Sequence, residues 1–178
     1  MNVPLAENRM NPHKLYKRIC KSAVAFFLLT LVSLASWVVS SPAYALDYNK
    51  ENLVNSDFSG QVLTDASFTK SNLRNSNLSH SDLTGVSFFA ANLESANLEG
   101  ANLTNATLDA ARIINTNLTN AVLVGAFAAN AKFDGAIIDG ADFTDVLLRQ
   151  DEQDKLCKVA KGVNPVTGRD TRDTLLCP

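Results

Sequence analysis

The chain has 178 residues, of which 46% are hydrophobic and 19% are charged. This balance excludes a charge-rich disordered tail and a protein with many membrane spans. The formal net charge of −2 argues against a general nucleic-acid binder, and two histidines with three cysteines are too few for zinc-finger or histidine-cluster chemistry.

The first 45 residues have the organisation of a secretory signal peptide. Five basic residues precede an apolar run from Ala23 to Val39, and the small residues Ala43 and Ala45 follow at the spacing that a signal peptidase accepts. We predict cleavage after Ala45 and no stable membrane insertion of the mature chain. The alternative is an uncleaved anchor helix, although this run is at the short limit for spanning a bilayer.

A short lead-in at residues 46–50 precedes a five-residue repeat that fills residues 51–150. From Leu53, every fifth residue is large and apolar for twenty steps, except at Ala128. The residue two positions earlier is usually Ala or Ser, and the residue between them is often Asn or Asp. We predict that the large positions form the interior core: Leu53, Phe58, Leu63, Phe68, Leu73, Leu78, Leu83, Phe88, Leu93, Leu98, Leu103, Leu108, Ile113, Leu118, Leu123, Phe133, Ile138, Phe143 and Leu148.

A period of five matches neither standard element. On an α-helix the large residues would spiral around every side, and on a flat strand they would alternate between faces. The small and the large residue of each unit both stay inside only if the chain turns after every five residues. Four such turns close a square coil. Stacked coils then place residues 20 apart in contact, and Phe68 is expected to stack on Phe88.

The segment 91–105, Ala-Asn-Leu-Glu-Ser-Ala-Asn-Leu-Glu-Gly-Ala-Asn-Leu-Thr-Asn, resembles the pentapeptide-repeat family, whose motif is A-(D/N)-L-x-x. The resemblance implies an all-β fold, a right-handed quadrilateral β-helix of about five coils. Glu51 and Gln61 stand where the motif has a small residue, so the first coil is expected to be irregular.

Residues 151–178 leave the repeat and predict a cap. A short helix is expected over 151–161, with Leu156, Val159 and Ala160 on one face, and it would cover the open edge of the last coil. Two cysteines in an exported chain, Cys157 and Cys177, predict one disulfide; two free thiols are the alternative.

The tail from Leu156 to Cys177 resembles the tails of pentapeptide-repeat proteins from the thylakoid lumen of cyanobacteria and plants. This resemblance implies an exported protein of the thylakoid lumen or periplasm.

The sequence offers little catalytic chemistry. His80 is the one histidine outside the signal segment, and its corner position favours a solvated turn residue over a catalytic base. We predict no catalytic, cofactor-binding or metal site. The outward carboxylates are interpreted as a solvated surface, with cation binding as the alternative: Glu94, Glu99, Asp109, Asp134, Asp139 and Asp145.

Large apolar residues in outward positions would indicate a partner surface if they cluster: Phe89, Ile114, Val124, Phe127, Ile137 and Leu147.

Two functions compete. The leading hypothesis is a non-catalytic solenoid that binds or scaffolds an unidentified protein partner. It predicts no cofactor and no nucleic-acid partner, and the sequence does not determine the oligomeric state. The alternative comes from acidic pentapeptide-repeat proteins that resemble B-DNA and bind type II topoisomerases, since residues 51–150 hold 11 acidic and 5 basic residues. An exported location argues against it, because those enzymes are cytoplasmic. A carboxylate-based hydrolase is disfavoured because the repeat offers no cleft.

Overall fold

The computed structural model describes residues 46–178, so the predicted signal peptide and its cleavage site at Ala43 and Ala45 lie outside the described residues. No helix within the described range is long and apolar enough to cross a membrane.

The main chain of the repeat is held by parallel bridges between single residues 20 positions apart. The ladder begins with the pair Asp47 and Ser67 and ends with the pair Phe127 and Leu147. These isolated bridges, each followed by a two-residue turn, replace extended strands over this region. The 20-residue offset is the spacing expected for coils of four five-residue sides.

The segment around Leu98 shows how one side of a coil forms. The N–H of Leu98 donates to the carbonyl of Asn117 one coil later, and the N–H of Asn97 donates to the carbonyl of Ser76 one coil earlier. The N–H of Ala101 then donates to the carbonyl of Leu98 and closes the turn. Pairing in both directions directs Asn97 outward, while the residues on either side of it point into the coil.

The fifth residue of nearly every unit has a positive φ, with Asn130 an exception, and this accounts for the frequent Gly, Asn and Asp at this position. Gly100 has a second constraint besides its φ of 63°. A Cβ at this position would lie 2.6 Å from Nδ1 of His80 in the preceding coil. Gly100 therefore lets the imidazole of His80 pack over the turn.

The small inward positions also accept hydroxyls that find a main-chain partner. Ser76 is fully buried, and its hydroxyl donates to the carbonyl of Leu73 at 2.7 Å. Thr116 is equally buried and donates to the carbonyl of Leu93, also at 2.7 Å. These hydrogen bonds explain why Ser and Thr replace Ala here, since an unpaired buried hydroxyl would destabilise the core.

Aromatic stacking along one interior column begins earlier than the sequence indicated. Phe68 stacks on Phe88 with ring centroids 5.2 Å apart, which confirms the expected pair. Tyr48 stacks on the other side of Phe68 at 4.8 Å. Residues 46–50, which we set apart as a lead-in, therefore take part in the first coil, while Glu51 and Gln61 are exposed at its edge.

Two helices follow the repeat, α1 at Gln150–Cys157 and α2 at Thr171–Thr174, and an antiparallel bridge joins Val163 to Asp170. The helix predicted over 151–161 is therefore too long.

The early end of α1 has a physical reason. Beyond Cys157 the chain leaves the helix, and the carbonyl of Lys161 accepts the N–H of Gly140 at 2.8 Å. Pairing with the edge of the last coil replaces further helical hydrogen bonds. Leu156 and Ala160 are buried as expected, but Val159 is 52% exposed and does not belong to the apolar face.

Candidate functional site

Side chains of the repeat occupy the interior of the stack. From Phe58 to Phe143, every large residue of the five-residue series is buried, and Ala128 is buried with them. Leu53 and Leu148, at the two ends of the series, are half-buried and pack against this core. A ligand site among the described residues therefore has to lie on an outer face or at an end of the stack.

Most of the outward carboxylates named from the sequence already have partners in the chain. Glu94 lies within 4 Å of two guanidinium groups, those of Arg74 and Arg112. Asp134 pairs with Lys155, Asp139 pairs with Lys161, Asp109 accepts hydrogen bonds from Asn130, and Glu99 accepts one from Asn117. Asp145 lines the cavity described below.

His80 is exposed at a corner of the stack. Over residues 46–178, no group of three or more His, Cys, Asp or Glu side chains is arranged to hold a metal ion.

Asn164 joins the C-terminal segment to the last two coils. It is fully buried, and its oxygen accepts hydrogen bonds from the N–H groups of Val166 and Thr167. Its amide nitrogen donates to three main-chain carbonyls, those of Asn120, Ala121 and Gly140, at 3.2, 3.2 and 2.8 Å. One side chain thus organises the turn after it and donates to main-chain carbonyls of the last two coils, of which that of Ala121 also accepts the N–H of Asp142.

Glu152 on α1 performs a similar role on another side of the stack. Its carboxylate is 1% exposed and accepts the N–H of Phe133, which lies on the edge of the last coil. The ammonium groups of Lys132 and Lys155 lie 3.2 and 3.0 Å from the same carboxylate. Burial opposes the charged form, but hydrogen bonds from Lys155 and the Phe133 N–H hold the pKa of Glu152 below its usual range.

Asp142 and Arg169 form a third connection. Asp142 is fully buried, and Nη1 of Arg169 lies 3.2 Å from its carboxylate and 2.8 Å from the hydroxyl of Thr144. Burial again opposes ionisation, but hydrogen bonds from Thr144 and the charge of Arg169 hold the pKa of Asp142 below its usual range. The tail residues 161–170 therefore cover carboxylate and carbonyl groups that the last coil cannot pair with a further coil.

Cys157 and Cys177 form a disulfide, as predicted from the sequence. Arg172 lies beside it and donates to the carbonyls of Cys157 and Pro178 at 2.9 and 3.0 Å. The end of α1 is thereby joined to the end of the chain. We call residues 151–178 the cap from here on.

A cavity of about 440 Å³ lies between the last coil and the cap. It is lined by residues 143–146 and Leu148 of the last coil, by Gln153 of α1, and by residues 168–170 and 173–176 of the cap. Its size falls in the range of ligand-binding clefts.

Two outward apolar residues form a pair on the surface. Phe127 and Leu147 are bridge partners in neighbouring coils and are 42% and 54% exposed. Phe89 is also exposed but lies in a turn, and Ile137 is exposed on a different bridge ladder, whereas Ile114 and Val124 are half-buried. The six apolar residues named from the sequence therefore do not form one continuous cluster.

Sequence reasoning did not identify the burial or the partners of Asn164, Glu152 or Asp142. The available signal was weak, since each is one polar residue in a polar segment. Their roles depend on groups that are distant in the chain, such as the carbonyl of Gly140 and the N–H of Phe133.

Coils joined by parallel bridges 20 residues apart, with large side chains stacked inside, define a β-helical solenoid, a class of repeat protein. The family model for pentapeptide repeats matches residues 52–88, 87–123 and 111–150. The chain belongs to this family.

A solved structure supports the fold. The chain is 49% identical to a pentapeptide repeat protein from the Arabidopsis thaliana thylakoid lumen, with a TM-score of 0.72. The match covers 73% of this chain and 90% of that one. This likeness identifies the fold as a right-handed β-helix, as the family resemblance implied.

Two further relatives match over shorter segments. The chain is 65% identical over 48 residues to thylakoid lumenal 15 kDa protein 1 and 51% identical over 43 residues to thylakoid lumenal protein TL20.3, both chloroplast proteins of Arabidopsis thaliana. These segments cover 27% and 24% of this chain but only 21% and 15% of those proteins. All three similar proteins are lumenal, which supports the exported, lumenal location expected from the sequence.

Proposed function

We propose that this protein is a non-catalytic solenoid that binds or scaffolds another protein in the thylakoid lumen or periplasm. In finer detail, the proposal is a quadrilateral stack of about five coils over residues 51–150, closed at residues 151–178 by a disulfide-bonded helical cap. The signal segment at residues 1–45 is removed on export.

The proposal rests on the partners of the polar side chains, which lie within the chain itself. Three buried polar side chains at the end of the stack, Asn164, Glu152 and Asp142, join the last coil to the cap. Among the six outward carboxylates named from the sequence, three pair with cations of the same chain, Glu94, Asp134 and Asp139. A catalytic site needs polar groups aimed at a substrate, whereas here they stabilise a rigid surface.

The outer surface supplies a candidate contact for the partner. Phe127 and Leu147 present two exposed apolar side chains side by side on a rigid coil. Adjacent exposed apolar groups on a preorganised scaffold favour recognition, because little conformational entropy is lost on binding. The topoisomerase alternative is not favoured, because the similar proteins are lumenal.

The proposal can be tested by cross-linking and capture with the tagged protein from thylakoid lumen and membrane fractions, followed by binding measurements with each purified candidate. The double variant Phe127→Thr, Leu147→Thr should weaken a true interaction at this surface. Threonine fits this ladder, because Thr107 occupies it one coil earlier. Val62→Thr is the matched control, since Val62 is 73% exposed on a different ladder.

A robust catalytic turnover that is lost on replacing one surface residue would refute the non-catalytic proposal. Failure of every purified candidate to bind directly would count against the scaffolding role.

A further inference from the structure

The cavity between the last coil and the cap has an apolar floor. Phe143 and Leu175 are almost fully buried at its base, and Val146 and Leu148 are half-buried along the wall. Val146 and Leu148 keep exposed apolar surface, which an aliphatic or aromatic group can cover, and such burial is the main source of affinity in clefts of this kind.

Leu176 stands among the lining residues in an unusual state. It is 82% exposed, and its φ of 53° lies in the left-handed region that a branched aliphatic residue rarely occupies. Main-chain hydrogen bonds hold it there, since its own N–H donates to the carbonyl of Asp173 and the N–H of Cys177 donates to the carbonyl of Arg172. The cap therefore presents a leucine to solvent beside an apolar cavity.

The charged lining residues give the cavity an acidic character. They are Asp145, Asp170, Asp173 and one cation, Arg169. Arg169 is already held by the buried carboxylate of Asp142, so its charge is balanced outside the lining. The remaining carboxylates complement a positively charged group.

We infer that this cavity binds a short apolar and basic segment of a partner polypeptide. A leucine or phenylalanine of the partner lies against Val146, Leu148 and Leu176, and a neighbouring lysine or arginine lies beside Asp145 and Asp173. A polypeptide fits better than a small molecule because exposed apolar surface continues outside the cavity at Leu176.

The inference rests on the proposed binding function and names a site for it. The probe is a labelled peptide, Gly-Leu-Lys-Leu-Lys-Gly, titrated into the oxidised protein purified from the periplasm of a bacterial host. Fluorescence anisotropy measures the affinity, and amide shifts in NMR spectra locate the contact. Two comparison peptides separate the contributions, one with Glu in place of Lys and one with Ala in place of Leu.

Two sets of variants test the residues. Asp145→Asn with Asp173→Asn removes charge at nearly constant shape and should weaken binding about fivefold at low salt, and less at high salt. Asp154→Asn is the control, because Asp154 is exposed and lies outside the cavity.

Leu176→Asn should weaken binding about threefold through lost apolar contact. Asparagine tolerates a positive φ, so this variant should fold at least as stably as the parent. Val166→Asn is its control, since Val166 is 78% exposed on the cap but does not line the cavity.

Saturable binding of the Leu-Lys peptide, with shifts at residues 143–148 and 168–176 and weakening in both test variants, is the expected result. Absence of saturable binding at millimolar peptide would overturn the inference. Equal binding of either comparison peptide would overturn it too, since both the apolar and the basic group are required. If a captured partner binds the test variants as well as the parent, the scaffolding function stands and the cavity is not its site.

Discussion

Asn164 provides the sharpest test of how the cap is held. The substitution Asn164→Ala removes both halves of a fully buried amide. Three main-chain carbonyls lose a donor, and two main-chain N–H groups lose an acceptor. A buried group left unpaired costs about 1–3 kcal/mol, and water that enters the space recovers part of this loss. We expect the free energy for opening the cap to fall by about 3–5 kcal/mol.

Asn164→Asp separates the two halves of the amide. Aspartate keeps an oxygen for the N–H groups of Val166 and Thr167 but places negative charge against the three carbonyls. At neutral pH it should destabilise the cap at least as much as alanine does. Protonation at low pH should recover part of this loss, because the protonated carboxyl group donates one hydrogen bond.

The assay is hydrogen exchange of the main-chain amides combined with urea unfolding. Protection should fall in the cap and in the last coil, while coils nearer the N-terminus keep theirs. Asn52→Ala is the control, because Asn52 is exposed on the first coil and accepts one side-chain bond, from Asn72. A loss below about 1 kcal/mol for Asn164→Ala, or full tolerance of Asn164→Asp, would refute this account of the cap.

Four further predictions address the core, the cap and pH. Leu98→Ala should lower the free energy of unfolding in urea by about 2–5 kcal/mol through lost burial and a cavity. Glu99→Ala should lower it by less than about 0.5 kcal/mol, because this side chain points outward. Equal losses would contradict the assignment of Leu98 to the interior and Glu99 to the surface. Ala128→Leu should leave the unfolding midpoint unchanged or raise it, because the same column holds leucine one coil earlier and one coil later; an unfolded variant would show that the space is already occupied. Cys177→Ser should destabilise the cap by about 3 kcal/mol and increase hydrogen exchange over residues 151–178, while the circular dichroism of the coils persists; melting of all coils together would contradict a local role. The pKa of Glu152 is lowered in the folded protein, so its carboxylate contributes fully to the stability of the cap above about pH 4.3. This contribution is lost as the pH falls through the pKa of the folded state, so acid should loosen the cap first. Glu152→Gln should flatten this pH dependence of stability.

The architecture could be predicted because it is repeated locally. Most of the twenty five-residue units carry their own small residue, large residue and turn residue, so they report the same geometry independently. Leu98 is buried for the same reason as every other member of its series. The offset of 20 residues follows from four such turns, and the stacking of Phe68 on Phe88 follows from that offset.

The sequence alone was less reliable at the two ends of the stack. Tyr48 belongs to the first coil although Glu51 interrupts the motif just after it, because ring stacking on Phe68 compensates for the irregular unit. At the other end, α1 stops at Cys157, since the carbonyl of Lys161 has a partner on the coil edge. Local propensity cannot show this choice, because the competing hydrogen bond comes from a distant part of the chain.

The sequence by itself determined the periodic interior and predicted the export signal and the disulfide, because each is encoded within a short segment or by residue supply. The tertiary structure decided which polar residues complete the last coil and where a cavity remains. Asn164, Glu152 and Arg169 differ little from surface residues until the coil edge lies beside them. An edge of unpaired main-chain groups exists only where stacking ends, and its partners are selected by position in space.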